Sequence, residues 1–274
     1  MARKLTPGRV LQYVFIYGLT LIVMMPVLNI FVSAFKTNVE INRCNILPGR
    51  LNFDNFVSVL KNDIFYSGMY NTILITTGSL SLSLLICSMA AYPLARNREK
   101  AYSVVYYFFL SSMMIPAVAN LVPLFTLMRT LGLLNNPLGM ILLYASGVSM
   151  GILLFTSFIK TIPFEIEESA EIDGCGFAAR FWYVALPLLK PVSVAFVMIQ
   201  ILGIWNDFLL PQLFLSDRSK QTITVAVNTF KNERGSDWGA IFALMTLVVV
   251  IPMALFFTNQ KSFYEGVAIG AVKL

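Results

Sequence analysis

Pro163-Phe164-Glu165-Ile166-Glu167-Glu168-Ser169-Ala170-Glu171-Ile172-Asp173-Gly174 sets five carboxylates close together in a chain that is only 12% charged. The stretch lies between two apolar windows, Leu138–Phe158 and Val192–Leu210. Each is about as long as a helix must be to cross hydrocarbon with its backbone polar groups satisfied internally. The acidic stretch is far too polar to follow them in, so it belongs on one face of the membrane. It reads as a short helix: Pro163 suits a first position, Glu165, Glu167 and Glu168 favour the positive end of the helix dipole, and Gly174 can stop it.

Four further windows of the same kind flank this pair: Val10–Phe35, Met69–Pro93, Tyr102–Leu127 and Trp238–Phe257. The 274 residues are 57% hydrophobic, against about 25% charged and 45 to 50% apolar for an average soluble chain. The sequence therefore predicts an all-α integral membrane protein with six transmembrane helices. The first window differs from a cleaved signal sequence, despite Arg3, Lys4, Arg9 and a loose Val32-Ser33-Ala34 site, because its apolar run far exceeds the usual 7 to 15 residues. Basic residues in short loops stay on the cytoplasmic side. Arg3, Lys4 and Arg9 precede the first window, and Arg96, Arg98 and Lys100 fill the turn between the second and third. Both termini and the acidic stretch are then cytoplasmic, with 11 basic residues inside and 9 outside.

What is missing narrows the function. The chain has no histidine, and its three cysteines (Cys44, Cys87, Cys175) form no CxxC pair, so zinc sites and His-based triads lack their parts. The +6 charge lies singly between apolar runs, which does not suit nucleic acid. The windows contain no Asp, Glu, Lys or Arg before Asp207, which disfavours proton coupling and voltage sensing. Thr76, Thr77, Ser79, Ser81 and Ser83 are imaginable sodium ligands, although such hydroxyls more often bond their own helix carbonyls. No G-x-x-x-x-G-K-[ST] loop is present, so active transport by this chain would draw its energy from a partner. Two alternatives stay open: a facilitator or ion-coupled carrier working without ATP, and, more remotely, a membrane-embedded enzyme.

A helix lying on anionic lipid would be basic, so the carboxylates of the acidic stretch point to a protein partner. Here the chain resembles the membrane permease subunits of ATP-binding-cassette importers, whose signature is E-A-A, then D-G, then Leu-Pro. The matching residues are Glu168-Ser169-Ala170, Asp173-Gly174 and Leu186-Pro187, with Ser169 the departure. Other stretches resemble the carbohydrate branch, the second permease subunit of maltose-type importers: Asn71-Thr72, Ala90 to Arg96, Met114-Ile115-Pro116, Trp205-Asn206-Asp207-Phe208-Leu209 and Gly266 to Lys273, with an importer permease for a non-sugar solute as the alternative within the class.

The resemblance implies a type I importer permease fold in a cell membrane and an ATPase-coupling helix within residues 163–176. The coupling residues it implies are Glu167, Glu168, Ser169, Ala170, Asp173, Gly174, Leu186 and Pro187. It further implies a second permease, two cytoplasmic ATPase subunits that carry ATP and Mg, an extracytoplasmic sugar-binding protein, and no cofactor or catalytic residue in this chain. By this organisation residues 1–66 hold the first helix and outer loop, 67–260 the transmembrane core, and 261–274 a cytoplasmic tail. For the substrate pathway, Trp205, Asn206 and Asp207 with Asn71 offer an aromatic platform and hydrogen-bond partners for a sugar. The same tryptophan and aspartate suit an interfacial belt and a span cap, so both readings stand. Pro116 and Pro123 should kink the third span, and Gly147 and Gly151 should form a small-residue packing face on the fourth.

Overall fold

The computed structural model describes residues 7–232 and 235–271, in which almost all regular structure is helical. The one strand pairing among them is a two-residue antiparallel ladder, Lys231–Asn232 with Gly235–Ser236. The described residues group into two units, one running up to Tyr66 and including Val227–Ile251, the other Ser67–Ala226 with Pro252 onward.

In the first unit, α1 (Pro7–Ser33) is apolar around its circumference, with Leu11 and Phe15 both about 70% exposed. Such a helix belongs in lipid or against another subunit. Arg3 and Lys4 lie outside the described residues. The chain then folds back through α2 (Asn38–Asn42) and α3 (Asp54–Leu60). A capping box opens α2: Glu40 N donates to Thr37 Oγ1, and Thr37 N donates to Glu40 Oε2 at 2.9 Å. The Thr37 N–H and then the Gly49 N–H hold the Glu40 carboxyl below its usual range. Lys36, a loop charge in the sequence, is buried, with Nζ on Ser33 Oγ at 3.3 Å. Asn55 Nδ2 fastens α3 to the end of α1 through the carbonyls of Ala34 and Lys36, each at 2.8 Å.

The second window becomes α4 (Asp63–Arg96), a 34-residue helix that overruns the expected window at both ends. Thr76 Oγ1 is buried without a partner among the described residues, but Thr77 Oγ1 donates to Ile73 O at 2.7 Å, Ser79 Oγ to Ile75 O at 2.6 Å and Ser83 Oγ to Leu80 O at 3.2 Å, each within the helix itself. That is the self-satisfying arrangement, not a cation cage.

The next three windows are all interrupted. The third is α5 (Lys100–Ser112), a non-helical turn, a 3-10 turn at Ala117–Asn120, and α6 (Leu121–Thr130). Pro116 breaks it outright, where the sequence predicted a kink, because it has no N–H to give and pushes the preceding residue out of the helical region. The fourth is α7 (Pro137–Ala145) and α8 (Ser149–Ile159), bent by 44° at a break that contains Gly147. After α9 (Glu165–Ile172) comes α10 (Phe177–Leu188), which carries a π turn at Phe181–Ala185 and meets α11 (Lys190–Trp205) at 70°. The fifth window ends early, at Trp205, and resumes as α12 (Leu209–Phe214). A single turn, α13 (Ile223–Ala226), precedes α14 (Trp238–Ala271). The last helix continues past 261 into the expected tail, and residues 272–274 lie outside the described residues.

Among the described residues three helices are long and apolar enough to cross a membrane unaided, or five if each bent pair is one crossing. The core of the second unit gathers α4, α8, α10 and α11 around Tyr92, Phe155, Leu189 and Phe196, all nearly inaccessible.

Candidate functional site

The acidic helix α9 begins at Glu165, two residues later than Pro163 suggested, and ends as the sequence predicts. Gly174 adopts φ +87°, its N–H donates to Glu171 O at 3.0 Å, and Cys175 N donates to Ala170 O at 2.9 Å. This pair of bonds is a Schellman closure, and it needs a left-handed residue at Gly174. Gly174→Ala should cost about 1 kcal/mol locally. Amide exchange should then quicken across Ala170–Cys175 while the melting temperature of the whole protein stays unchanged.

The side chains of α9 are distributed against the usual amphipathic rule. Its apolar residues point outward, with Ile172 87% exposed and Ile166 43%, whereas a carboxylate, Glu167, points in and is 1% exposed. Glu167 Oε1 lies 2.6 Å from Arg96 Nη2 and accepts from Arg96 Nε at 2.8 Å, and Tyr92 OH donates to Oε2 at 2.7 Å. Arg96 also donates both Nη groups to Ile162 O at 3.2 Å and lies 5.7 Å from the Phe164 ring centroid. The last turn of α4 thus clasps α9 through a buried, fully partnered ion pair. Arg180 pairs with Glu171 at the other end of the helix.

Of the coupling residues named from sequence, Glu168, Ser169, Asp173 and Gly174 are exposed on α9 or its end, and Ala170 is half-buried. Glu167 is turned away from that face into the clasp. Leu186 and Pro187 lie at the end of α10, with Leu186 packed against the core and Pro187 exposed.

The four pathway candidates do not come together. Asn71 is 5% exposed and donates to the carbonyls of Ser219 (2.8 Å) and Gln221 (3.1 Å), a structural tie. Trp205 is buried at 3% exposure, and Asn206 donates to Leu202 O at 3.0 Å within its own helix. Asp207 alone lines a cavity of about 680 Å³. There Tyr144 OH donates to Asp207 Oδ2 at 2.9 Å, and Leu210 N to Oδ1 at 3.3 Å. Tyr144, Gln200 and Asn120 also line the cavity and escaped the sequence analysis. Their signal was indirect, in Pro116 and Gly147, which interrupt two of the helices around it.

Long apolar helices, interrupted spans and a charged helix held outside them define a polytopic membrane protein of the transport kind. The chain belongs to the family of binding-protein-dependent transport system inner membrane components, which matches residues 83–264. It is 33% identical over 230 residues to the melibiose/raffinose/stachyose import permease protein MelC of Bacillus subtilis, covering 83% of each chain. It is 30% identical to the maltodextrin transport system permease protein MalD of Streptococcus pneumoniae, covering 100% of this chain and 98% of that one. In fold it is similar to a chain in the crystal structure of a bacterial ABC transporter that imports the acidic polysaccharide alginate, with TM-score 0.85, 22% identity, and coverage of 96% of this chain and 100% of that one.

Proposed function

We propose that this chain is one of two membrane-spanning permeases in an ATP-driven importer of sugars or oligosaccharides. It crosses the membrane six times with both termini cytoplasmic and works with a related permease, two ATPase subunits that carry ATP and Mg, and an extracytoplasmic sugar-binding protein. The observation that carries the reading is α9: a helix with exposed Glu168, Asp173 and Ile172, anchored through Glu167 and Arg96 to the end of a long apolar helix. An apolar side chain set outward among carboxylates suits a protein surface and not lipid or water. Closure of the ATPase pair would push on this face, and the clasp would pass the push to α4. That its relatives include a melibiose/raffinose/stachyose import permease and a maltodextrin transport system permease supports sugar as the cargo.

Glu168→Lys and Gly174→Asp should each leave the protein in the membrane, abolish uptake, and weaken co-purification of the ATPase subunits. Normal uptake in both variants would overturn the coupling assignment. A facilitator or ion-coupled carrier would instead transport as the purified chain alone in liposomes, where the importer reading expects no transport until the other subunits are added.

A further inference from the structure

Three interrupted helices meet at one place. The cavity beside Asp207 is walled by Asn120 and Leu121 from the break in the third window, by Ser146 and Gly147 from the break in the fourth, and by Asp207 and Leu209 from the break in the fifth. Broken backbone at membrane depth is tolerated where it is packed in protein or lines a watered cavity. All three breaks fall on the same cavity, which itself lies wholly within the second unit.

The polar groups there are not all spoken for. Among the described residues the carboxamides of Gln200 and Asn120 have no hydrogen-bond partner. Asp207 has one bond on each carboxylate oxygen, from Tyr144 OH and Leu210 N, so each oxygen keeps a lone pair for a further donor. Asn120 is exposed and Gln200 and Asp207 are half-buried, so all three present polar groups to whatever fills the cavity. The remaining wall is apolar, with Leu121, Leu124, Leu143 and Ile204, and the volume falls within the range of small-ligand sites.

We propose that this cavity is a substrate site supplied by this chain itself, and that it takes uncharged sugars. Sugar hydroxyls donate to Asp207 and exchange hydrogen bonds with Gln200 and Asn120, while the leucine and isoleucine walls meet the C–H faces of the ring. A carboxylated sugar brings an anion against Asp207 in a place that screens charge poorly, so the site discriminates against it. This rests on the transport reading above.

The test uses the assembled transporter in proteoliposomes. Gly203→Cys lies on the cavity wall where an added Cβ meets no atom within 4 Å, and it is introduced after Cys44, Cys87 and Cys175 are replaced by alanine. Its labelling by a membrane-impermeant thiosulfonate is timed alone and with maltotriose, raffinose or trigalacturonate. The expected result is labelling from water, slowed about fivefold by whichever neutral sugar the complex takes up, when that sugar is present at four times its Kd. Trigalacturonate gives no protection, Asp207→Asn lets it protect, and Gln200→Leu removes protection by the neutral sugar while the subunits still co-purify. No labelling, equal protection by trigalacturonate, or protection indifferent to Gln200→Leu overturns the site. An assembled complex that takes up none of these three sugars and none of melibiose, stachyose, longer maltodextrins or diacetylchitobiose overturns the sugar-transport reading instead.

Discussion

Glu167→Lys will destabilise the protein by about 3 to 5 kcal/mol and abolish transport, since it removes one member of a buried ion pair and sets a second cation against the first. The guanidinium of Arg96 and the carboxylate of Glu167 are nearly inaccessible, at 10% and 2% side-chain exposure. Charges held that way depend on each other and on their other partners, Tyr92 OH and Ile162 O. Arg96→Glu should fail in the same way, by putting two carboxylates together. The double exchange, Arg96→Glu with Glu167→Arg, should regain part of the loss, and the size of that recovery measures the coupling. Tyr92→Phe deletes one hydrogen bond to a charged group and should cost about 1.5 to 3 kcal/mol. Detergent-solubilised melting curves and subunit co-purification give the stability order, and uptake shows whether a folded but loosened α9 still transmits. If Glu167→Lys were as stable and as active as the parent, the clasp would carry neither the fold nor the coupling.

The acidic stretch was legible as a helix outside the membrane because composition alone keeps it out, and its end was legible because only glycine sits easily where Gly174 does. Which carboxylate faces inward was not legible. Glu167 and Glu168 are adjacent and chemically alike, and the ordinary pattern places isoleucines inside, whereas here Ile166 and Ile172 face out. Arg96, 71 residues away, was visible only as a charge that sets orientation. The cavity was hidden for a related reason. Hydropathy registers Pro116, Gly147 and the Asn206–Asp207 pair as blemishes in three separate runs. Their convergence is a matter of packing between helices, which no single run contains. Asp207 was found because a carboxylate beside a span is conspicuous; Gln200 and Asn120, being neutral, were not.

Gly151 makes the same point from the packing side, and its replacement should be among the most damaging small-to-large changes in the core. A Cβ at Gly151 would lie 2.3 Å from Cys87 Sγ, 2.9 Å from Cys87 Cβ and 2.9 Å from Phe196 Cε2. All three neighbours belong to buried residues of α4 and α11, so none can swing into solvent. Gly151→Ala therefore forces helices apart, and Gly151→Leu should cost about 3 kcal/mol or more, the upper end of overpacking penalties. Gly147, read in sequence as part of the same packing face, behaves differently: its Cβ would meet only Tyr144 O at 3.4 Å, and it lines the cavity. One spacing in sequence thus serves close approach of helices at Gly151 and a helix break at Gly147. The temperature at which the solubilised protein aggregates should fall in the order parent, Gly147→Ala, Gly151→Ala, Gly151→Leu. Cys87→Gly should rescue Gly151→Ala because it removes two of the three colliding atoms. Absence of rescue would mean that Phe196, not Cys87, sets the limit on how closely α8 can pack.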